Sequence, residues 1–411
     1  MTEDYKDQYK KLCCSFCSKD RDQVSKLVAG QDVYICDECI ELCHGILNKD
    51  SVDEQKRELQ TPREIKTFLD QYVIGQENAK IIIAVAVYNH YKRLLTVDRE
   101  NAVEQDKSNI LLIGPTGSGK THIAKTIARM LDLPFAMADA TSITENGYVG
   151  DDAEHVIYRL VQAAGGDVAR AERGIIYIDE IDKKARKSES SSITRDVSGE
   201  GVQQALLKII EGTECKIPVA GGRKSSASES NIVNTKNILF ILGGAFVDLD
   251  RIIAKRKNQG PTMGFSSAVE EAEDGLHKDE IEPDDLIKFG LIPEFVGRIP
   301  VVAKLHELDK EQLIRALSEP KNSLEKQFID LFALDSVELN LTQEAKEAIA
   351  DICLEKKLGV RGLRNVIERA LLACQFELPE LKDQNVTKII VTEETIMQNT
   401  MPIYIKQDTE Q

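Results

Sequence analysis

The chain has 411 residues, of which 42% are apolar and 30% charged, a balance typical of a globular protein with two or three domains of roughly 150 residues each. Its 53 basic and 69 acidic side chains give a formal net charge of −16, which argues against a general nucleic-acid binder because phosphate backbones attract positive surfaces. The longest apolar run, Ile81 to Tyr88, is too short to span a membrane and no apolar export signal is visible, so we expect a soluble protein of the cytoplasm.

The first predicted element is a cysteine cluster, since six of the nine cysteines lie within the first 43 residues. Two C-x2-C pairs separated by eighteen residues have the spacing of a structural site in which four thiolates bind Zn²⁺. A reduced thiol cluster without metal is the alternative. Cys13 and Cys43 are surplus, and Cys13 could take the place of its neighbour. The predicted zinc ligands are Cys14, Cys17, Cys36 and Cys39.

The rest of the chain reads as a linker and two further domains. Polar residues fill 49–64, after which short apolar runs alternate with helical patterns, as in an α/β domain with a parallel sheet. After Leu308 the pattern becomes mainly helical. We therefore expect a treble-clef-like zinc-binding domain at 1–48, a linker at 49–64, a large α/β domain at 65–309 and a small helical domain at 310–411. The strand candidates are 109–113, 134–138, 175–178 and 238–242.

A glycine-rich segment between a predicted strand and a predicted helix matches the phosphate-loop pattern G-x4-G-K-T. Such a loop directs its backbone N–H groups at phosphate oxygens, and the helix N-terminus adds partial positive charge. Lys120 would neutralise the β- and γ-phosphates, and the Thr121 hydroxyl would bind Mg²⁺. An ordinary glycine-rich loop is the alternative. The predicted loop residues are Gly114, Pro115, Thr116, Gly117, Ser118, Gly119, Lys120 and Thr121.

A second motif supports hydrolysis. The apolar run 175–178 predicts a buried strand that ends in two adjacent carboxylates, Asp179 and Glu180. Asp179 would hold Mg²⁺ through water, and Glu180 would polarise the attacking water. Alone this motif is weak, because many strands end in acids, but the phosphate loop beside it makes the pair specific.

These motifs together resemble the AAA+ ATPases. Within them, the zinc spacing and four further segments are similar to the ClpX family of ATP-driven protein unfoldases, over nearly the whole chain from Cys13 to Ile405. The four segments are GYVG at 147–150, SITRDVSGEG at 192–201, IPEFVGR at 292–298 and GVRGLR at 359–364.

The resemblance assigns further residues to an ATP site. It implies that Arg298 acts as a finger that reaches the γ-phosphate bound by a neighbouring subunit, and that Glu180 and Arg298 are the catalytic pair. Arg361 resembles the second sensor, carried by the small domain. No polar first sensor is recognisable after 238–242. His122 follows the loop directly, and no catalytic role is expected for it. The predicted ATP-binding residues outside the loop are Val73, Ile74, His122, Asp179 and Arg361.

The resemblance also implies a substrate path. Tyr148 and Val149 lie in the segment that resembles the substrate-gripping pore loop, and residues 192–201 resemble a second pore loop. Two segments depart from the family. The pore-entrance loop has Arg-Lys-Ser at 223–225 where relatives carry Arg-Lys-His, and the peptidase-docking loop has a methionine where relatives carry an aliphatic residue. The predicted docking residues are Met263, Gly264 and Phe265.

Partners and alternatives follow from the same resemblance. We expect a homohexamer that uses ATP, Mg²⁺ and Zn²⁺, works on unfolded or tagged proteins and their adaptors, and feeds a ClpP-type peptidase, with no membrane or nucleic-acid partner. The six histidines lie in no recognisable nucleophile setting, so no peptidase activity is expected from this chain. A remodelling chaperone that works without a peptidase is one alternative, and a DNA-directed AAA+ ATPase is another.

Overall fold

A computed structural model describes residues 13–31, 33–43, 59–96, 105–144, 152–186, 199–218, 230–258, 281–383 and 385–406. The chain divides into two compact units, Met1–Leu59 and Gln60–Gln411. In the described part no helix is long and apolar enough to cross a membrane.

The first unit is built around thiols. Strands β1 (Leu27–Ala29) and β2 (Tyr34–Cys36) form an antiparallel hairpin, and helix α1 follows at 37–43. Its buried core consists of Cys14, Cys36 and Cys39, against which only partly buried apolar side chains pack. Burial of these few apolar groups is too small to stabilise a fold by itself. Metal binding by the thiols would supply the missing folding free energy.

The second unit contains the predicted parallel sheet. Its strands run in the order β4-β5-β8-β3-β9, and every pairing is parallel, which confirms the α/β expectation. Strands β3 and β8 are buried along their whole length because helices cover both faces of the sheet. Strands β6 and β7 form a separate antiparallel pair. The strands are β3 (Ile110–Ile113), β4 (Phe135–Asp139), β5 (Ile175–Asp179), β6 (Glu214–Pro218), β7 (Ser230–Asn234), β8 (Leu239–Gly244) and β9 (Val301–Lys304).

Local sequence fixes where the helices of this domain begin. Thr61 caps α2 by accepting a hydrogen bond from the backbone of Glu64, and Pro62 occupies the first turn, so α2 begins within the segment predicted as linker. Helix α4 buries Ile123 and Ile127 against the sheet and begins directly after the phosphate loop. The helices are α2 (Pro62–Asp70), α3 (Glu77–Thr96), α4 (Lys120–Leu131), α5 (Ala153–Ala163), α6 (Val168–Ala171), α7 (Glu200–Glu211), α8 (Leu249–Asn258), α9 (Pro283–Phe289) and α10 (Pro293–Gly297).

The C-terminal part has its own core. Among the described residues, one apolar cluster of the large domain spans Leu111 to Ile299, and a second, separate cluster that spans Leu313 to Ile396 forms the core of the C-terminal part. The second is mainly helical, with a three-stranded sheet in the order β10-β11-β12. The elements are α11 (Lys310–Ser318), α12 (Leu324–Ala333), β10 (Glu338–Leu341), α13 (Gln343–Glu355), α14 (Gly359–Asp383), β11 (Val386–Val391), α15 (Glu393–Gln398) and β12 (Ile403–Lys406).

Candidate functional site

The phosphate loop lies between β3 and α4, as its sequence predicts. Gly117 and Gly119 have φ angles of 85° and 99°, in the left-handed region that only glycine adopts at low cost. A side chain at Gly117 would also meet the backbone of Leu358 and Gly359, which lie in the C-terminal domain. The curled backbone therefore depends on the glycines, and the loop contacts both domains.

Lys120 is the buried cation of this loop, with 8% of its surface exposed. Its Nζ donates hydrogen bonds to the carbonyl oxygens of Gly114 at 2.7 Å and Pro115 at 2.9 Å. Burial lowers the pKa of Lys120, while the carboxylates of Asp179 and Asp182 favour its charged form. The two carbonyl oxygens therefore fix the position of the Lys120 ammonium group in the loop. An anion bound by the loop would neutralise its charge.

The end of β5 brings oxygen donors beside the loop. The Thr121 hydroxyl donates to Asp179 Oδ2 at 3.2 Å and lies 3.5 Å from the hydroxyl of Tyr177. Glu180 has a φ angle of 56°, a strained conformation for a non-glycine residue, and its N–H donates to Asp179 Oδ1 at 3.0 Å. Hydroxyl and carboxylate oxygens are the ligands that Mg²⁺ prefers, so Thr121 and Asp179 fit a magnesium site.

Most of the predicted ATP-binding residues line one cavity of about 720 Å³. One side is formed by the loop, Asp179 and Glu180, and the other by residues of the C-terminal domain that include Arg361. Within the loop, the buried Ser118 hydroxyl has no hydrogen-bond partner, which fits a group with oxygen acceptors above the loop. The predicted residues that line the cavity are Val73, Ile74, Thr116, Gly117, Ser118, Gly119, Lys120, Thr121, His122, Asp179, Glu180 and Arg361.

Gly114 and Pro115 are not among the lining residues, but their carbonyl oxygens accept the hydrogen bonds from Lys120. Sequence reasoning missed other lining residues, among them Tyr72 and Arg364. Arg364 donates to Gln327 Oε1 at 2.6 Å and forms an ion pair with Glu368. Its place in the GVRGLR segment, one helical turn after Arg361, was the available signal.

Arg298 lies apart from this cavity. Its Nε forms an ion pair with Glu211 Oε1 at 2.8 Å, and both side chains are about half exposed. Its carbonyl oxygen accepts a hydrogen bond from the buried Asn109 side chain at 2.8 Å. Arg298 is not among the residues that line the cavity of its own chain.

Gly243 and Gly244 end β8 and Ala245 follows it, at the place where the family resemblance implies a polar first sensor. A Cβ at Gly243 would overlap the Tyr177 hydroxyl, so this glycine makes room for Tyr177 beside the loop. Asp182 accepts hydrogen bonds from the N–H groups of Ala245 and Phe246, which connects this strand end to the helical turn after β5. None of the three residues carries a polar side chain, as the sequence indicates.

The four predicted zinc ligands converge in the first unit. Their Sγ atoms all lie within 4.8 Å of one another, with 3.8 Å between Cys14 and Cys39 and 3.6 Å between Cys17 and Cys36. Tetrahedral zinc with bonds of about 2.3 Å requires sulfur atoms about 3.8 Å apart, so the cluster fits Zn²⁺. Cys13 is exposed and is not part of the group, and neither is Cys43.

Several predicted residues lie outside the described part of the chain. They are Tyr148 and Val149, residues 192–198 of the second pore loop, the pore-entrance residues 223–225, and the docking residues Met263, Gly264 and Phe265.

Three family models match the chain. Residues 12–49 match the ClpX C4-type zinc finger, residues 105–302 match an AAA domain of the Cdc48 subfamily, and residues 308–379 match the C-terminal D2-small domain of ClpB. The AAA domain implies ATPase activity that uses ATP and Mg²⁺, and the four-cysteine finger supports Zn²⁺. The three matches, together with the sheet and the thiol cluster, fit a ClpX-type AAA+ unfoldase.

Proposed function

We propose that the chain is an ATP-dependent protein unfoldase that works as a ring of six copies and delivers its substrates to a ClpP-type peptidase. The observation that carries this proposal is the cavity between the two cores of the larger unit, with the phosphate loop on one side and Arg361 on the other. A nucleotide bound there would contact both domains, so its hydrolysis would change the contacts between the nucleotide and each domain.

Named residues supply the chemistry of hydrolysis. The loop N–H groups and Lys120 hold the phosphates, while Thr121 and Asp179 hold Mg²⁺, which neutralises charge on the β- and γ-phosphates. Glu180, at the end of β5, orients and polarises the attacking water. Val73 and Ile74 provide an apolar surface for the adenine ring, and both are almost fully buried.

Arg361 would couple ATP hydrolysis to movement of the C-terminal domain. This residue belongs to α14 of the second core and faces the same cavity as Lys120. Positive charge on both walls attracts the triphosphate more strongly than the diphosphate. Loss of the γ-phosphate therefore weakens the attraction that draws α14 toward the phosphate loop.

The family matches and the sequence resemblance support the proposed ring and its partners. Arg298 would reach the nucleotide of a neighbouring copy and stabilise charge in the transition state. Tyr148 and Val149 would grip the substrate, and Met263, Gly264 and Phe265 would dock the peptidase. The zinc-binding domain would dimerise and receive adaptors. Cleavage belongs to the partner, and we place the protein in the cytoplasm with the domain bounds given above.

Reconstitution tests this proposal. Purified protein, ATP, a stable tagged substrate and a ClpP-type peptidase are combined, and each is omitted in turn. We expect ATP-dependent unfolding of the substrate without the peptidase and degradation only with it. ATPase activity that rises with DNA but not with unfolded protein would instead support the DNA-directed alternative. Unfolding that never leads to degradation would support the peptidase-independent chaperone.

Two substitutions separate the substrate path from the ATP site. Tyr148→Ala should keep ATPase activity and lose most unfolding, because a large side chain is needed to grip polypeptides of any sequence. Phe265→Ala should keep ATPase activity and unfolding but lose degradation, because the apolar anchor for the peptidase is removed. Wild-type degradation rates in both variants would contradict these two assignments.

A further inference from the structure

Gln76 lies two residues after Ile74, which lines the cavity and is proposed to contact the adenine ring. Only 9% of this residue is exposed, and its φ angle is 60°. The carboxamide Nε2 donates to the carbonyl oxygen of His306 at 2.8 Å, and Oε1 accepts the N–H of the same residue at 3.0 Å. Nε2 also lies 3.5 Å from the Ser118 carbonyl oxygen in the phosphate loop. One buried side chain therefore joins two segments that are 230 residues apart in sequence.

His306 belongs to the connection between the two cores, residues 305–309. Leu305 N–H donates to the carbonyl oxygen of Ile113 at 2.7 Å, directly before the phosphate loop, and Asp309 caps α11. Gly75, the residue before Gln76, also lies close to α11, because a Cβ at this position would be 3.4 Å from the Gln312 side chain. The stretch 75–76 thus lies against both the connection and the first turn of the C-terminal domain.

We propose that Gln76 is a positioning residue that transmits nucleotide binding at Val73 and Ile74 to the connection 305–309, and so sets the orientation of the C-terminal domain. The inference rests on the proposed nucleotide site. The Gln76 carboxamide pairs with both the N–H and the carbonyl oxygen of His306. If it moved away alone, both backbone groups would lose their hydrogen bonds, so we expect His306 to follow any shift of Gln76. The left-handed φ angle at a non-glycine position shows that the surrounding contacts hold this residue in place.

Two substitutions probe the contact in different ways. Gln76→Glu keeps the length of the side chain and can accept the His306 N–H, but it cannot donate to the carbonyl and places negative charge against it. Gln76→Gly removes the side chain and relieves the left-handed backbone, so the strain no longer opposes folding. Gln343→Glu makes the same chemical change on the exposed face of α13 and is the matched control.

The experiment compares hydrogen exchange of the full chain with and without saturating ADP and Mg²⁺. In the wild type and in Gln343→Glu we expect ADP to slow exchange in the phosphate loop and in residues 305–309. Both Gln76 variants should keep the protection of the loop, while that of 305–309 falls about fivefold or more. In ATPase assays kcat should fall about fivefold while KM stays within about twofold, because binding is kept and domain positioning is lost.

The possible failures are distinguishable. If ADP does not protect the phosphate loop of the wild type, the proposed nucleotide site itself is wrong. If the loop is protected but 305–309 is not, or if the Gln76 variants match the wild type, the inference about Gln76 is overturned. Loss of both protections in variants with an unchanged melting temperature would also overturn it, because Gln76 would then act in binding.

Discussion

Lys107 is a partly buried lysine whose amine lies among carbonyl groups and an aromatic ring. Its Nζ donates to the carbonyl oxygens of Ile210 at 3.1 Å and Thr235 at 2.9 Å, and it lies 4.5 Å from the ring centre of Phe240. Burial, with a smaller contribution from the positive charge of Arg93, lowers the pKa of Lys107 to about 7. A neutral amine has two N–H groups, one for each carbonyl, and avoids the cost of burying charge.

This pKa predicts a pH dependence of stability. Between pH 7 and about 10.4 the unfolded chain holds a proton on Lys107 that the folded protein has released, so the free energy of unfolding rises with pH in this window. Lys107→Met removes the effect. Relative to this variant, the wild type should gain at most about 1.4 kcal/mol per pH unit in thermal unfolding at successive pH values. Lys208→Met, an exposed lysine on α7, should keep the wild-type profile; a difference independent of pH would contradict the assignment.

At the scale of elements, the zinc unit depends on metal more than on packing. Cys14 and Cys17 lie before the hairpin, Cys36 ends β2 and Cys39 lies in α1, so the four ligands come from three separate parts of the unit. The apolar side chains around them are only partly buried. Zinc thus links elements that have little else to hold them together.

Substitution of a single thiol tests this dependence. The wild type should bind one zinc ion per chain, and Cys36→Ser should bind none and lose the fold of the first unit, because three thiolates leave the tetrahedral site incomplete. Metal analysis and hydrogen exchange of residues 13–43 are the measurements. Cys13→Ser is the control and should keep the metal, since that thiol is exposed and outside the cluster. A metal-free wild type would restore the reduced-thiol interpretation.

The elements that sequence could predict are those with local signals. The parallel strands, the phosphate loop and the cysteine pairs each have a short-range pattern with a physical cause, and the structure places them as expected. Contacts between distant segments have no such pattern. Nothing near Gln76 indicates His306, and nothing near Gly243 indicates that it makes room for Tyr177. Tertiary packing alone brings these residues together.

At the scale of the whole molecule, the nucleotide cavity and Arg298 lie at different places on one chain. The cavity lies between two cores, whereas Arg298 follows α10, with its backbone held by Asn109 and its side chain by Glu211. An ion pair between half-exposed side chains is weak, so Glu211 can release Arg298 at little cost. In the proposed role, Arg298 would assist hydrolysis at the site of another copy, which a closed ring of head-to-tail contacts would allow.

Mixing two inactive variants tests this arrangement. Glu180→Gln should bind ATP without turnover, and Arg298→Ala should also be inactive, because each ring lacks one essential group at every site. In mixed rings, a site with Glu180 from one variant can receive Arg298 from the other, so at equal amounts about a quarter of the sites should be complete and ATPase activity should return. If Arg298 acted within its own chain, no mixture could combine the two groups. A mixture of Glu180→Gln with Lys120→Ala, which both damage the same side of the site, should stay inactive.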